Sequence, residues 1–151
     1  LTLNTDAVNL VETIESALET VRLAADSKAI DIRLKLDSAV GTVRGDANRL
    51  QQVIWNLLSN AVKFTPNAGQ VEVTLSQVGT EAQIQIRDSG KGIRSDVLPY
   101  IFDRFRQADS STTRQFGGLG LGLAIARHLV ELHGGTISAE SAGENQGATF
   151  T

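Results

Sequence analysis

Residues 46–65 read DANRLQQVIWNLLSNAVKFT, and this stretch decides the fold of the chain. At about 100° per residue it has an apolar face and an opposite polar face, which predicts an amphipathic helix over residues 47–63. The apolar face consists of Leu50, Val53, Ile54, Leu57, Leu58, Ala61 and Phe64. The polar face consists of Gln52, Asn56, Asn60 and Lys63. Since such a helix must bury its apolar face, the stretch predicts a helix that packs on a hydrophobic core.

The polar face of this helix has two interpretations. Most polar helix stripes are solvated surface. Asparagine, however, is a mediocre helix former, and Asn56 and Asn60 occur in one stripe with Lys63. Amide oxygens are suitable Mg²⁺ ligands, and a lysine supplies a positive charge for phosphate. The spacing alone leaves a solvated face and a site for a metal-bound polyphosphate equally open.

Outward from this helix, periodicity predicts two more helices and several strands. The helices cover residues 8–28, capped by Thr5 or Asp6, and residues 120–133, ended by Gly134 and Gly135. Three strand pairs are expected: Asp31–Leu36 with Thr42–Gly45, 71–75 with 82–86, and 136–141 with Ala148–Phe150. The second pair is joined by a turn at Gly79. A short helix is expected over 95–105. These elements predict an α+β fold, a two-layer α/β sandwich whose mixed, mostly antiparallel sheet is covered on one face by about three helices.

Composition narrows the functional classes. The 151 residues are 41% hydrophobic, which fits a single domain over residues 1–151. The absence of cysteine excludes disulfides within these residues, the presence of only two histidines argues against a zinc site, and a net charge of −3 argues against nucleic-acid binding. No apolar run of about 18 residues occurs, so we expect no membrane span, and we expect no secretory leader at the start of the chain. Because the chain starts at Leu1 and has no methionine, we expect it to be a piece of a longer protein.

Two further stretches carry chemical signals. In the first, AQIQIRD at 82–88, the alternation that buries Ile84 and Ile86 also turns Asp88 toward the core, and Asp88 opens the motif DSGKGI at 88–93. This acid is either part of an ordinary turn or an acceptor for an exocyclic amine such as that of adenine. Residues 117–123 read GGLGLGL and open a helix, which suits a phosphate site, although neither P-loop nor Rossmann spacing is present. The polar residues 106–118 between them have no periodicity and indicate a functional lid or a disordered segment.

These motifs together resemble the nucleotide-binding boxes of sensor histidine kinases. The matching stretches are NLLSNAVKFT (56–65), DSGKGI (88–93), IFDRF (101–105) and GLGLGL (118–123), in the family's order and across most of the chain. TTRQFGG (112–118) and HGGTISAES (133–141) are similar to kinases that are hybrids with receiver domains. The resemblance implies the Bergerat fold of the GHKL ATPases, with ATP between the second helix and a lid over residues 106–119.

The resemblance also implies roles for individual residues. Asn60 corresponds to the Mg²⁺ ligand, Asp88 to the acceptor for the adenine amine, and Lys63 to a phosphate contact. Asn56 and Lys63 take the catalytic positions. The other implied ATP-binding residues are Phe64, Gly90, Gly92, Ile93, Ile101, Phe102, Arg106, Gly117, Gly118, Leu119, Gly120, Leu121, Gly122, Leu123 and Thr149. Leu119 departs from the threonine usual in the last box, and Gln107 from the basic residue that some members carry in the lid.

Asn56 separates two kinds of enzyme within this resemblance. GHKL ATPases that hydrolyse ATP have a glutamate four residues before the metal-binding asparagine, and an amide there cannot act as a general base. We therefore expect a kinase that holds Mg·ATP and passes the γ-phosphoryl group to a histidine. The alternatives are a GHKL ATPase of the gyrase, chaperone or mismatch-repair class and a non-catalytic nucleotide-sensing module.

The resemblance further implies the partners. Neither His128 nor His133 matches the phosphoacceptor, which the family carries on a dimerisation domain upstream of Leu1. We expect structural roles for both, with His133 as a positive imidazole at a helix end. The implied partners are that dimerisation domain, in cis or in trans, and a receiver domain or response regulator. We expect a cytoplasmic domain without direct membrane contact, monomeric by itself, whose parent is either soluble or membrane-tethered.

Overall fold

The computed structural model describes residues 4–90, 92, 119–141 and 148–150. Its helices are α1 (Leu10–Ser27), α2 (Ala47–Phe64) and α3 (Leu119–Leu132), and a 3₁₀ turn covers Ser38–Val40. Its strands are β1 (Asp6–Asn9), β2 (Asp31–Leu36), β3 (Thr42–Gly45), β4 (Gln70–Val78), β5 (Glu81–Asp88), β6 (Ala139–Glu140) and β7 (Ala148–Phe150). The predicted helix over 95–105 and the predicted lid, except Leu119, lie outside the described residues.

The main sheet has five strands in the order β2-β4-β5-β7-β6. Strands β2 and β4 are parallel, and the other neighbouring pairs are antiparallel. The β4–β5 hairpin pairs Val73 with Ile86 and turns at Gly79, whose φ of 62° lies in the left-handed region. The predictions of a mixed, mostly antiparallel sheet and of this hairpin are therefore confirmed.

The predicted pairing of Asp31–Leu36 with Thr42–Gly45 is wrong. Strand β2 pairs with β4 in the main sheet, whereas β3 pairs with β1 in a separate two-stranded sheet. Between them, the 3₁₀ turn and Gly41, at φ 77°, lead the chain out of the main sheet. Alternating side chains identify a strand, but its partner depends on where the intervening helices pack.

Helix α1 begins later than predicted. Its N-cap is Asn9, whose side chain accepts a hydrogen bond from Glu12 N–H at 3.3 Å, so the prediction of Thr5 or Asp6 is wrong. The preceding residues form β1, where Val8 is buried. Because Val8 continues the apolar period of the helix backward into the strand, hydrophobic spacing alone does not reveal the boundary.

The core lies between the main sheet and the three helices, with α2 packed between α1 and α3. Ile14, Leu18 and Leu58 from the helices meet Val71, Val73, Leu75 and Ile86 from the sheet, and all are almost fully buried. This arrangement confirms the predicted sandwich with about three helices on one face. Among the described residues, none of the helices combines the length and the apolar character needed to cross a membrane.

Candidate nucleotide-binding site

The carboxyl-terminal half of α2 carries four of the predicted site residues. Asn56, Asn60 and Phe64 are partly buried, and Lys63 is exposed. Lys63 Nζ lies 5.4 Å from the centre of the Phe64 ring, a cation–π distance. The side chains predicted to contact a metal and a phosphate therefore lie on the last turns of one helix.

Gln52 belongs to a different surface of α2. It lines a groove between α1 and α2, together with Thr20 and Trp55. Trp55 is 42% exposed there. The polar face predicted from helical spacing therefore has two parts. Gln52 lines the groove toward α1, and Asn56, Asn60 and Lys63 form the candidate site.

Asp88 ends β5 with its side chain turned inward, as the alternation predicted. The residue is only 8% exposed. Its Oδ1 accepts a hydrogen bond from Gly90 N–H at 2.8 Å. Such a bond offsets part of the free-energy cost of burying a carboxylate and shapes the turn that follows the strand.

Gly90 joins this turn to the end of α2. A Cβ atom at Gly90 would overlap the carbonyl oxygen of Phe64 and would lie 2.9 Å from Asp88 Oδ1. Only glycine permits this approach, so the acid at the end of β5 lies directly beside the last turn of α2. Packing against Phe64 is thus a reason for glycine that the sequence did not reveal.

The segment after α2 is also tied to the turn. Thr65 is completely buried, and its Oγ1 donates to Ala61 O at 2.6 Å. Ser89 Oγ accepts from Gln70 N–H at 2.9 Å, and Ser89 N–H donates to Gln70 O at 3.1 Å. Sequence reasoning missed Thr65 and Ser89. The available signal was the hydroxyl in each case, immediately after a helix and immediately after a strand.

The glycine run opens α3 as predicted, since the helix begins at Leu119. Gly120, Leu121 and Gly122 lie in its first turn. Leu123 is completely buried in the core, which leaves only its backbone for a phosphate site. Thr149, another predicted site residue, lies in β7. It pairs with Arg87 of β5, and its neighbour Ala148 pairs with Asp88.

Several predicted site residues lie outside the described ranges: Ile93, Ile101, Phe102, Arg106, Gly117 and Gly118. Gly92 is described and has φ 70°, a conformation that favours glycine.

The opposite end of α2 is held by a histidine from the end of α3. His133 Nε2 accepts a hydrogen bond from Asp46 N–H at 3.0 Å, and Nδ1 lies 2.7 Å from Leu129 O. This pair of contacts requires a neutral ring with its proton on Nδ1. The expected positive imidazole is therefore wrong, because a backbone donor occupies the ring's other nitrogen. His128 is exposed on α3.

Asp46 is the N-cap of α2. Its Oδ1 accepts from Arg49 N–H at 3.3 Å, and its Oδ2 accepts from Asn4 N–H at 3.0 Å. The hydrogen bond from Asn4 lowers the pKa of this carboxyl, burial raises it, and the bond from Arg49 lowers it further; the net pKa lies below its ordinary value.

A family model described as "Histidine kinase-, DNA gyrase B-, and HSP90-like ATPase" matches residues 45–151. The chain belongs to this family. The match begins at the last residue of β3, and its range, residues 45–151, includes the position of every predicted site residue.

Individual relatives in this ATPase family are histidine kinases. The chain is 38% identical to hybrid signal transduction histidine kinase D of Dictyostelium discoideum, over 95% of this chain and 11% of that protein. It is 44% identical to the circadian input-output histidine kinase CikA of Synechococcus elongatus, over 93% of this chain and 18% of that protein. The chain thus spans less than a fifth of these curated relatives.

Among solved structures, full-length ShkA in complex with AMPPNP matches with a TM-score of 0.84 and 32% identity, over 99% of this chain and 30% of that chain. The recognition of a histidine kinase ATP-binding domain, with its α/β sandwich, is therefore confirmed.

Proposed function

We propose that this domain binds Mg·ATP and donates the γ-phosphoryl group to a histidine on the dimerisation domain of its parent kinase, within a two-component system that ends at a receiver domain or response regulator. The observation that carries the proposal is the contact of Gly90 with the Phe64 carbonyl. Through it, the buried Asp88 lies beside the helix turn that bears Asn60 and Lys63.

Asp88 fits the recognition of an adenine amine. An ionised carboxylate is a pure acceptor, and in Asp88 it already accepts from Gly90 N–H through Oδ1. In a buried position, an amine that donates to this carboxylate forms a charge-assisted hydrogen bond, and a base that presents a carbonyl oxygen there is repelled. This selectivity favours adenine over guanine.

Asn60 and Lys63 fit the other end of the nucleotide. An amide oxygen is a hard ligand that suits Mg²⁺, which usually takes few protein ligands together with phosphate oxygens. Lys63 supplies a positive charge on the same turn. When bound, Mg²⁺ would neutralise charge on the polyphosphate, and the protein's contribution to phosphoryl transfer would be positioning and charge stabilisation.

Asn56 favours transfer to a histidine over hydrolysis. It stands one turn before Asn60 on α2, and its amide cannot take a proton from water. The family also contains gyrase-like and HSP90-like ATPases, so hydrolysis is the second candidate function. A steady-state ATPase assay separates the two, because turnover near the typical enzyme rate of about 10 per second would contradict the kinase.

Calorimetric titration with ATP, with and without Mg²⁺, tests the site. We expect Asp88→Asn to weaken ATP binding roughly 10- to 100-fold, the cost of a lost hydrogen bond to a charged group. Asn60→Ala should remove the enhancement of affinity that Mg²⁺ gives.

Gln52→Ala is the matched control on the same helix, because Gln52 lines the groove toward α1. If Asp88→Asn and Asn60→Ala bind Mg·ATP as tightly as Gln52→Ala does, the assignment of this site is wrong.

A further inference from the structure

The carboxyl end of α2 is held by a lysine from outside the predicted site. The last four carbonyl groups of a helix have no hydrogen-bond donor within the helix itself. In α2 these are the carbonyl groups of residues 61–64. Lys28 Nζ lies 2.8 Å from Val62 O and 3.2 Å from Lys63 O. Thr65 donates to Ala61 O through both its N–H and its Oγ1. A single ammonium group therefore serves two of these carbonyls.

The backbone of Lys28 is fixed on both sides, which gives its side chain a defined starting point. Lys28 is the C-cap of α1, and its N–H donates to Ala25 O and Asp26 O. Its carbonyl oxygen accepts from Ala68 N–H at 2.8 Å, in the segment that follows α2. The side chain thus runs from the end of α1 to the end of α2, and it starts from a backbone that hydrogen bonds fix in place.

The electrostatics of this position matter for an anionic ligand. A helix carries about half a negative charge at its carboxyl end, and that charge disfavours a neighbouring anion. Asn60 and Lys63 lie on this same turn, so under the proposed function a polyphosphate must approach the unfavourable end of α2. An ammonium group on the carbonyls of residues 62 and 63 offsets the charge of that end.

We propose that Lys28 is a positioning residue for the phosphate side of the nucleotide: by neutralising the carboxyl end of α2, it allows a polyphosphate to bind beside Asn60 and Lys63. The inference rests on the proposed function. It differs from a simple helix cap in one respect, because a cap affects folding stability alone, whereas charge compensation affects binding in proportion to the charge of the ligand.

The test is a set of dissociation constants for adenosine, ADP and Mg·ATP, measured by calorimetry on the parent chain and on Lys28→Met. We expect a graded loss for Lys28→Met, with adenosine unchanged within about twofold, ADP weakened, and Mg·ATP weakened about three- to tenfold. Added salt should reduce the difference between the two proteins, since screening weakens charge interactions. Lys28→Arg should restore Mg·ATP affinity, because it keeps the charge and the donors.

Ile14→Val is the control for lost stability, because Ile14 is completely buried in α1 and the change removes one methylene from the core. We expect this variant to melt earlier and to keep the parent's three affinities. Lys28→Gln keeps a donor without the charge, and it gives the same test if Lys28→Met does not fold.

Equal losses for all three ligands in the Lys28 variants, or no loss at all, would overturn the inference while leaving the ATP site intact. Failure of the parent chain itself to bind Mg·ATP would overturn the proposed function and the inference with it.

Discussion

The two ends of α2 are held in opposite ways. At the amino end, a carboxylate from Asp46 accepts backbone N–H groups, and the neutral ring of His133 accepts the N–H of Asp46 itself. At the carboxyl end, the ammonium group of Lys28 donates to carbonyls, and the turn at Gly90 packs against the carbonyl of Phe64. Each end thus receives the charge that the helix dipole favours.

The difference between the two ends shows how a helix can be both core and site. The amino end is joined to distant parts of the chain, Asn4 and His133, which fixes α2 in the fold. The carboxyl end contacts the turn at Gly90, and this turn is also hydrogen-bonded to Asp88 at the end of β5. Changes at the carboxyl end should therefore alter nucleotide binding together with stability, whereas changes at the amino end should alter stability alone.

Gly90→Ala should have the largest effect, because it places a Cβ atom on the Phe64 carbonyl and backbone cannot move aside as a side chain can. Overpacking of this kind costs about 1–3 kcal/mol of unfolding free energy. We expect the urea midpoint to fall and Mg·ATP affinity to fall with it.

Gly135→Ala is the matched control, because its Cβ would lie 3.3 Å from Val130 Cγ1, a longer contact than the one at Gly90 and one made to a side chain instead of to backbone. If Gly90→Ala is no less stable than Gly135→Ala, the contact between the turn and α2 does not have the importance assigned to it.

His133→Phe should have an intermediate effect, confined to stability. The ring volume is nearly kept, but Asp46 N–H loses its acceptor, which costs about 1–2 kcal/mol for a partly buried donor. We expect a lower melting temperature and unchanged Mg·ATP affinity in the folded protein. His128→Phe, at an exposed position on the same helix, should leave the melting temperature nearly unchanged. A loss of nucleotide affinity in His133→Phe would contradict the separation of the two ends.

The smallest effect should come from the charge of Asp46, and it should be visible only in acid. The folded-state pKa of this carboxyl lies below its unfolded value, so its contribution is present above about pH 4 and is lost as the pH falls through the folded-state pKa. Asparagine is an equally good N-cap, so Asp46→Asn keeps a cap without the titration. Between pH 5 and pH 3, the parent should lose more stability than Asp46→Asn does in thermal melts. Parallel pH profiles for the two proteins would contradict the assignment.

Much of this architecture follows from local pattern. The period of α2 predicts its buried face, with Leu58 at the centre, and the alternation in β5 predicts the burial of Asp88. Those signals are strong because each depends on which side of a single element faces the core. The partner of β2 and the protonation of His133 were predicted wrongly, because each depends on contacts with residues far along the chain. The cap of α1 was also predicted wrongly, because the residues before Asn9 pair with the distant strand β3 and so delay the start of the helix.

The sequence by itself determined the residue types of a nucleotide site and the family to which they belong, since four motifs in order are a property of the chain alone. Only the tertiary structure decided how these residues are held together. The Lys28 ammonium on the carbonyls of α2, the Gly90 contact with Phe64 and the neutral His133 each join residues at least 26 positions apart. Neither periodicity nor motif spacing encodes such contacts, because they arise only when separate elements pack on one core.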